Sequence, residues 1–104
     1  MHIISRKKIR EFCEKHPESR QSMDRWYTIV KKTEFGKFQD VKNLFPSADK
    51  VKNLVVFDIG GNNYRLIAFI LYKSQKLYIR HILTHTEYDA EKWKDDEWYT
   101  DTKK

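Results

Sequence analysis

The sequence predicts an α+β domain in the order β-α-α-β-β-β, with two N-terminal helices packed on a small, mostly antiparallel sheet. Three observations predict it. Residues 54–84 contain three apolar runs, LVVFDI, YRLIAFILY and LYIRHILT, separated by GGNN and KSQK. β-branched and aromatic residues dominate these runs, as a pleated and half-buried surface favours. Upstream, two sets of apolar residues recur at helical spacing on either side of Pro17.

In chain order, His2–Ile4 is a short apolar start suited to an edge strand, and Ser5 is the expected N-cap of the first helix. Ile9, Phe12, Cys13 and His16 follow at i, i+3, i+4 and i+7, opposite a basic face of Arg6, Lys7, Lys8, Arg10 and Lys15. Pro17 ends that helix and suits the first turn of the next, where its missing N–H costs nothing. The second helix is expected from Glu18 to Lys32, with Met23, Trp26, Tyr27 and Val30 turned to the core. Residues 33–52 read as an irregular, basic connection in which residues 40–45 make one helical turn before Pro46 stops it. The three apolar runs then form an antiparallel meander. Its first hairpin carries Gly60, Gly61, Asn62 and Asn63, which tolerate the positive φ of a tight turn. Beyond Trp93 the chain is KDDEWYTDTKK, charged and poor in aliphatics, so residues 1–93 are expected to form the domain and 94–104 a frayed tail.

A chain of 104 residues is long enough for one modest core. Its 21 Lys and Arg against 15 Asp and Glu leave a formal charge of +6. That balance favours a polyanionic partner without saying whether it is RNA, DNA or an acidic protein. Cys13 is the only cysteine, so it cannot form an intramolecular disulfide and is expected to be a small core residue. The opening MHIISRKKIREF lacks the apolar stretch of a secretory signal, and no run approaches a membrane span. A cytoplasmic protein with no membrane contact is the expectation.

No metal-ligand spacing, phosphate-cradling loop or nucleophile elbow occurs, so neither a cofactor nor a metal is expected. What remains is a set of charged and titratable residues near the strand ends: Arg65, Arg80, His85, Glu87 and Tyr88. Charges inside apolar strands need a partner or a task, and pairing with Asp58 is the plainer alternative for either arginine. RNA can be cut when its 2′-hydroxyl loses a proton and attacks the adjacent phosphorus. A base must take the 2′ proton, a cation must stabilise the non-bridging oxygens, and an acid must protonate the leaving 5′-oxygen. Histidine, arginine and tyrosine suit these tasks, tyrosine also by stacking on an exposed base. Lys42, Lys50 and Lys52 fit a phosphate-contacting rim, although ordinary surface lysines would look the same. THTEYD equally suits a helix start, with Thr84 or Thr86 as N-cap and Glu87 in the first turn.

The segments VVFDIGGNNYRLIAFILY and LYIRHILTHTEYDAEKW, with FPSADKV and MHIISRKKIREF upstream, resemble the HigB-type toxins of the RelE-like toxin–antitoxin superfamily. The resemblance implies a RelE-like fold and a metal-independent endoribonuclease that cleaves mRNA, often in the ribosomal A site, and inhibits translation. It also implies a cognate HigA-like helix-turn-helix antitoxin, through which alone the toxin would meet operator DNA. Carried over by position, Arg65 would hold the scissile phosphate and Arg80 share that task. His85 would be general acid or base, Tyr88 would position or stack on the nucleotide, Asp89 would orient the histidine, and Lys52 would be a substitute proton carrier. A non-catalytic RNA- or ribosome-binding domain, or a degenerate toxin kept for its antitoxin contact, remains the alternative on the same residues.

Overall fold

The computed structural model describes residues 1–61 and 63–99. Strands β1 (His2–Ile4), β2 (Asp49–Val51), β3 (Leu54–Ile59), β4 (Tyr64–Leu71) and β5 (Lys76–Thr84) form one sheet in the order β1-β5-β4-β3-β2. β1 runs parallel to β5, and the other pairs are antiparallel. Helices α1 (Arg6–Lys15), α2 (Arg20–Lys31) and α3 (Phe38–Leu44) precede the meander, and α4 (His85–Asp89) follows it directly. The α+β class, the meander and the edge strand at His2–Ile4 agree with expectation.

Four details differ from the sequence reading. Residues 49–51 form an additional edge strand, returned onto β3 through a two-residue turn in which Lys52 takes a positive φ of 58°. The helix expected as one turn extends over Phe38–Leu44, with Val41 fully buried. Pro17–Ser19 forms a 3₁₀ turn, so the second helix begins at Arg20. Ser5 sits at the N-cap position with φ 79°, and its hydroxyl makes no capping hydrogen bond; its carbonyl accepts from the Lys8 N–H instead.

The two faces of the sheet carry separate cores, because alternate residues of a strand point to opposite sides. On one face, Val55, Phe57, Ile59, Leu66, Ala68, Leu77 and Ile79 meet Ile9, Phe12 and Cys13 of α1 and Met23, Trp26 and Val30 of α2. On the other, Leu54, Val56 and Ile67 pack with Trp93, flanked by Phe69, Leu83, Tyr88, Trp98 and Tyr99. Residues 94–99, expected to fray, are therefore folded back on the sheet; residues 100–104 of that expected tail lie outside the described residues. The aromatic rings supply the apolar area that the segment's charge count conceals.

A β-bulge shapes the second face. Ala68 pairs with Ile79 and Ile67 with His81, so Arg80 is the extra residue and its side chain leaves the strand on the same face as that of His81. Both reach Asp96. Arg80 donates from Nε and Nη2 to its two carboxylate oxygens at 3.0 and 2.8 Å, and His81 Nε2 lies 2.7 Å from Oδ2. The guanidinium also stacks 3.9 Å above the Trp98 ring, and the Trp98 backbone N–H donates to Asp96 at 2.7 Å.

Burial alone would raise the Asp96 carboxyl, but the Arg80 hydrogen bonds, the Trp98 N–H and His81 overcome it and hold the group down to about 2. Its unfolded value is about 3.9. The unfolded chain thus binds the proton first as pH falls, so this stabilisation is complete above about pH 4 and is lost towards pH 2. Asp96→Asn is expected to cost about 2 kcal/mol at pH 7. It should also flatten the fall in stability between pH 4 and 2, as read by urea unfolding at each pH.

Candidate active site

The site stands where β4 begins and β5 ends, and three local features build it. The first is the hairpin after β3. Gly60 and Gly61 take φ of +64° and +61°, and a Cβ at Gly60 would come within 3.2 Å of the Tyr64 ring. This tight turn brings Asn63 to the end of β5, where its carbonyl accepts the His85 backbone N–H at 3.1 Å. The second is a reciprocal cap. The Thr84 hydroxyl accepts the Glu87 N–H, and the Glu87 carboxylate accepts the Thr84 N–H. Glu87 is thereby a capping residue. The cap starts α4 immediately after the strand, so that His85, Tyr88 and Asp89 fall on one short helix.

The third is a cross-strand pair. Asp58 lies opposite Arg65 in the β3–β4 register, and its Oδ1 accepts from Arg65 Nε at 3.0 Å. Arg65 is buried, with 8% of its surface exposed. Its Nη1 donates to the Tyr64 carbonyl at 3.3 Å, while Nη2 approaches His85 Nδ1 at 3.4 Å. Guanidinium can only donate, so Nδ1 accepts and the imidazole hydrogen sits on Nε2. That nitrogen is 3.2 Å from Asp89 Oδ2. Imidazole and carboxylate are both more than half exposed, open to a ligand.

Tyr88 completes the cluster. The guanidinium carbon of Arg65 lies 5.2 Å from the Tyr88 ring centroid, within reach of a cation–π contact. Burial, followed by the Asp49 carboxylate, raises the Tyr88 phenol above its ordinary value, against the opposing effect of Arg65 and Lys94. Burial thus favours the neutral phenol, which can donate a hydrogen bond. Arg65, His85, Tyr88, Asp89 and Asp58 form one contiguous assembly: a buried fixed cation, an exposed imidazole and an aromatic wall.

The remaining sequence candidates are elsewhere. Arg80, expected to share the phosphate with Arg65, is instead committed to Asp96 and Trp98. His81, beside it, serves the same structural clamp. Lys42 Nζ donates to the Ala48 carbonyl at 2.8 Å, and Lys50 Nζ to the Lys52 carbonyl at 2.7 Å, which ties both to the connection before β3. Lys52 Nζ lies 5.8 Å over the Tyr99 ring, on the aromatic side of the sheet. Sequence reasoning missed Trp93, whose ring stacks on Tyr88 with centroids 5.3 Å apart and planes 10° from parallel. The aromatic at five residues' distance from Tyr88 was the available signal. Nothing in KDDEW marked Asp96 as a buried anchor.

Comparison with known proteins places this geometry in a family context. Residues 19–91 match the family HigB_toxin, described as the RelE-like toxic component of a toxin–antitoxin system. The chain is 38% identical over 92 residues to the mRNA interferase toxin HigB of Escherichia coli (strain K12), covering 86% of this chain and 88% of that protein. It is similarly 38% identical to the mRNA interferase HigB of Shigella flexneri, with the same coverage. Against the mRNA interferase HigB of Escherichia coli O6:H1 the identity is 35%, over 86% of this chain and 89% of that protein.

Proposed function

Because this chain belongs to the HigB family of RelE-like toxins, we propose that it is the toxin of a toxin–antitoxin pair, an endoribonuclease that cuts mRNA through its Arg65–His85–Tyr88 cluster. The relatives named as mRNA interferases support the substrate. The observation that carries the site is the 3.4 Å approach of Arg65 Nη2 to His85 Nδ1 on a face walled by Tyr88.

Bound RNA would place a phosphate beside the arginine and its 2′-hydroxyl near the imidazole. Two protons move: the His85 ring takes the 2′ hydrogen, and the Tyr88 phenol delivers one to the departing 5′-oxygen. The O2′–P bond forms as the P–O5′ bond breaks, leaving a 2′,3′-cyclic phosphate and a 5′-hydroxyl. Arg65, fixed from behind by Asp58, sets positive charge where the non-bridging oxygens gain negative charge, without reorganising at the moment of reaction. The Tyr88 ring offers a stacking surface for an exposed base, and its phenol a hydrogen-bond donor. Asp89 orients the imidazole. His85, Arg65 and Tyr88 offer a base, a cation and an acid, which supports the reading of a cleavage that needs no divalent ion. Arg80, its charge matched by Asp96, holds the aromatic face of the sheet and not the phosphate. Lys42, Lys50 and Lys52 form a basic rim for the backbone of the RNA.

The ribosome is the expected setting, with translation arrested in the cytoplasm, and a HigA-like helix-turn-helix antitoxin restrains the enzyme and carries it to operator DNA. Among the described residues no helix is long and apolar enough to cross a membrane. Expressing the chain alone tests the reading: growth should stop and transcripts should appear cleaved within coding regions. Arrested growth with full-length transcripts would instead indicate a domain that binds RNA or ribosomes without cutting.

A further inference from the structure

Resting on that reading of the site, we infer that Trp93 is a positioning residue for RNA cleavage: it sets the plane of the Tyr88 ring that walls the site beside Arg65. Three layers are stacked here. The Arg65 guanidinium lies against the Tyr88 ring at 5.2 Å, and the Tyr88 ring lies parallel on the Trp93 indole at 5.3 Å. Trp93 is also tied to the backbone it supports, since its Nε1–H donates to the Tyr88 carbonyl at 3.1 Å.

Trp93 is itself rigidly seated. It is 4% exposed and packs with Leu54, Val56 and Ile67 of the sheet. The 3₁₀ turn that carries it, Lys92–Asp95, is closed at once by Asp96, whose carboxylate is gripped by Arg80 and His81 of β5. Tyr88 is only partly buried against that same cluster, and it stands on α4, a five-residue helix with no buried residue. A helix that short holds a side chain in place only if something outside it does so. Trp93 is that support. Without it the Tyr88 ring loses the surface it lies on, and a displacement of about 1 Å in a group that positions the substrate can cost roughly 10²-fold in rate. Trp93 lies beyond the residues 19–91 matched by the family, so this contribution belongs to the part of the chain that the match leaves out.

The test compares wild type, Trp93→Leu, Trp93→Phe, Tyr88→Leu and the Trp93→Leu/Tyr88→Leu double variant in single-substrate RNA cleavage, with each fold checked by thermal unfolding. Wild-type cleavage establishes the underlying reading first; if it fails, that reading fails and not the inference alone. Given wild-type cleavage, Trp93→Leu should lower kcat at least about tenfold with little change in KM, and Trp93→Phe should restore most of it by keeping a flat ring. Because Trp93 acts through Tyr88, the double variant should lose no more than the larger single loss. A folded Trp93→Leu with near wild-type kcat, or losses that simply multiply, would overturn the inference. If Trp93→Leu does not fold, Tyr88→Leu decides: unchanged kcat in that variant removes the link on which Trp93 would act.

Discussion

Arg65→Ala is expected to lower RNA cleavage by about 10²–10³-fold, the loss typical of removing one preorganised charge from a transition state. Asp58 and the Tyr64 carbonyl hold the guanidinium before substrate arrives, so its charge is in place as the oxygens become negative. Because the residue is buried, the charge acts through a poorly screened medium, where it is worth more than on an open surface. Stability will fall too, since Asp58 is left without its cross-strand partner. The Asp58 side chain retains 25% exposure and can rehydrate, so the cost should be about 1–2 kcal/mol, below that of breaking a fully buried pair. Kinetics on the folded fraction, with urea unfolding alongside, separates the two effects. Arg65→Lys should rescue stability more than rate, because a single ammonium cannot reach Asp58, the Tyr64 carbonyl and the imidazole together.

His85→Gln is expected to reduce cleavage about 10²–10⁴-fold, the range for losing a positioned proton carrier. The substitution keeps a side chain able to hydrogen-bond toward Arg65 and Asp89 but removes the titratable ring. The side chain is exposed, so stability should change by no more than about 0.5 kcal/mol. Relief of toxicity in a protein that remains folded and still binds RNA is the expected result. Full toxicity in both His85→Gln and Arg65→Ala would mean that the cleavage chemistry lies elsewhere on the surface.

The meander and the helical stripes were legible in the sequence because their periods, two and near 3.6, record which faces are covered. The Asp58–Arg65 pair was legible too, since a charge in each of two adjacent apolar strands calls for a partner. The fate of Arg80 was not. Sequence shows a basic residue in a strand, but only the bulge turns it toward Asp96, and Asp96 sits in a run of charges resembling a solvated tail. Trp98 and Tyr99 were the only hint that this segment packs, and three-dimensional contact was needed to show how. β2 escaped notice because a three-residue edge strand carries too few residues to display an alternating pattern. The helix start at THTEYD, in contrast, was readable with Thr84 or Thr86 as its cap; the structure selects Thr84 and closes the cap reciprocally with Glu87, which sets His85 at the head of α4.

The most direct test of the mechanism is the chemistry of the RNA ends. Transcripts cut by this chain, isolated from cells expressing it alone and mapped by ligation that distinguishes end groups, should carry a 5′-hydroxyl on the downstream fragment. The upstream fragment should end in a 2′,3′-cyclic phosphate or the 3′-phosphate derived from it. Downstream fragments bearing a 5′-phosphate, with a 3′-hydroxyl upstream, would show that water and not the neighbouring 2′-oxygen attacks the phosphorus, and would contradict the roles given to Arg65 and His85.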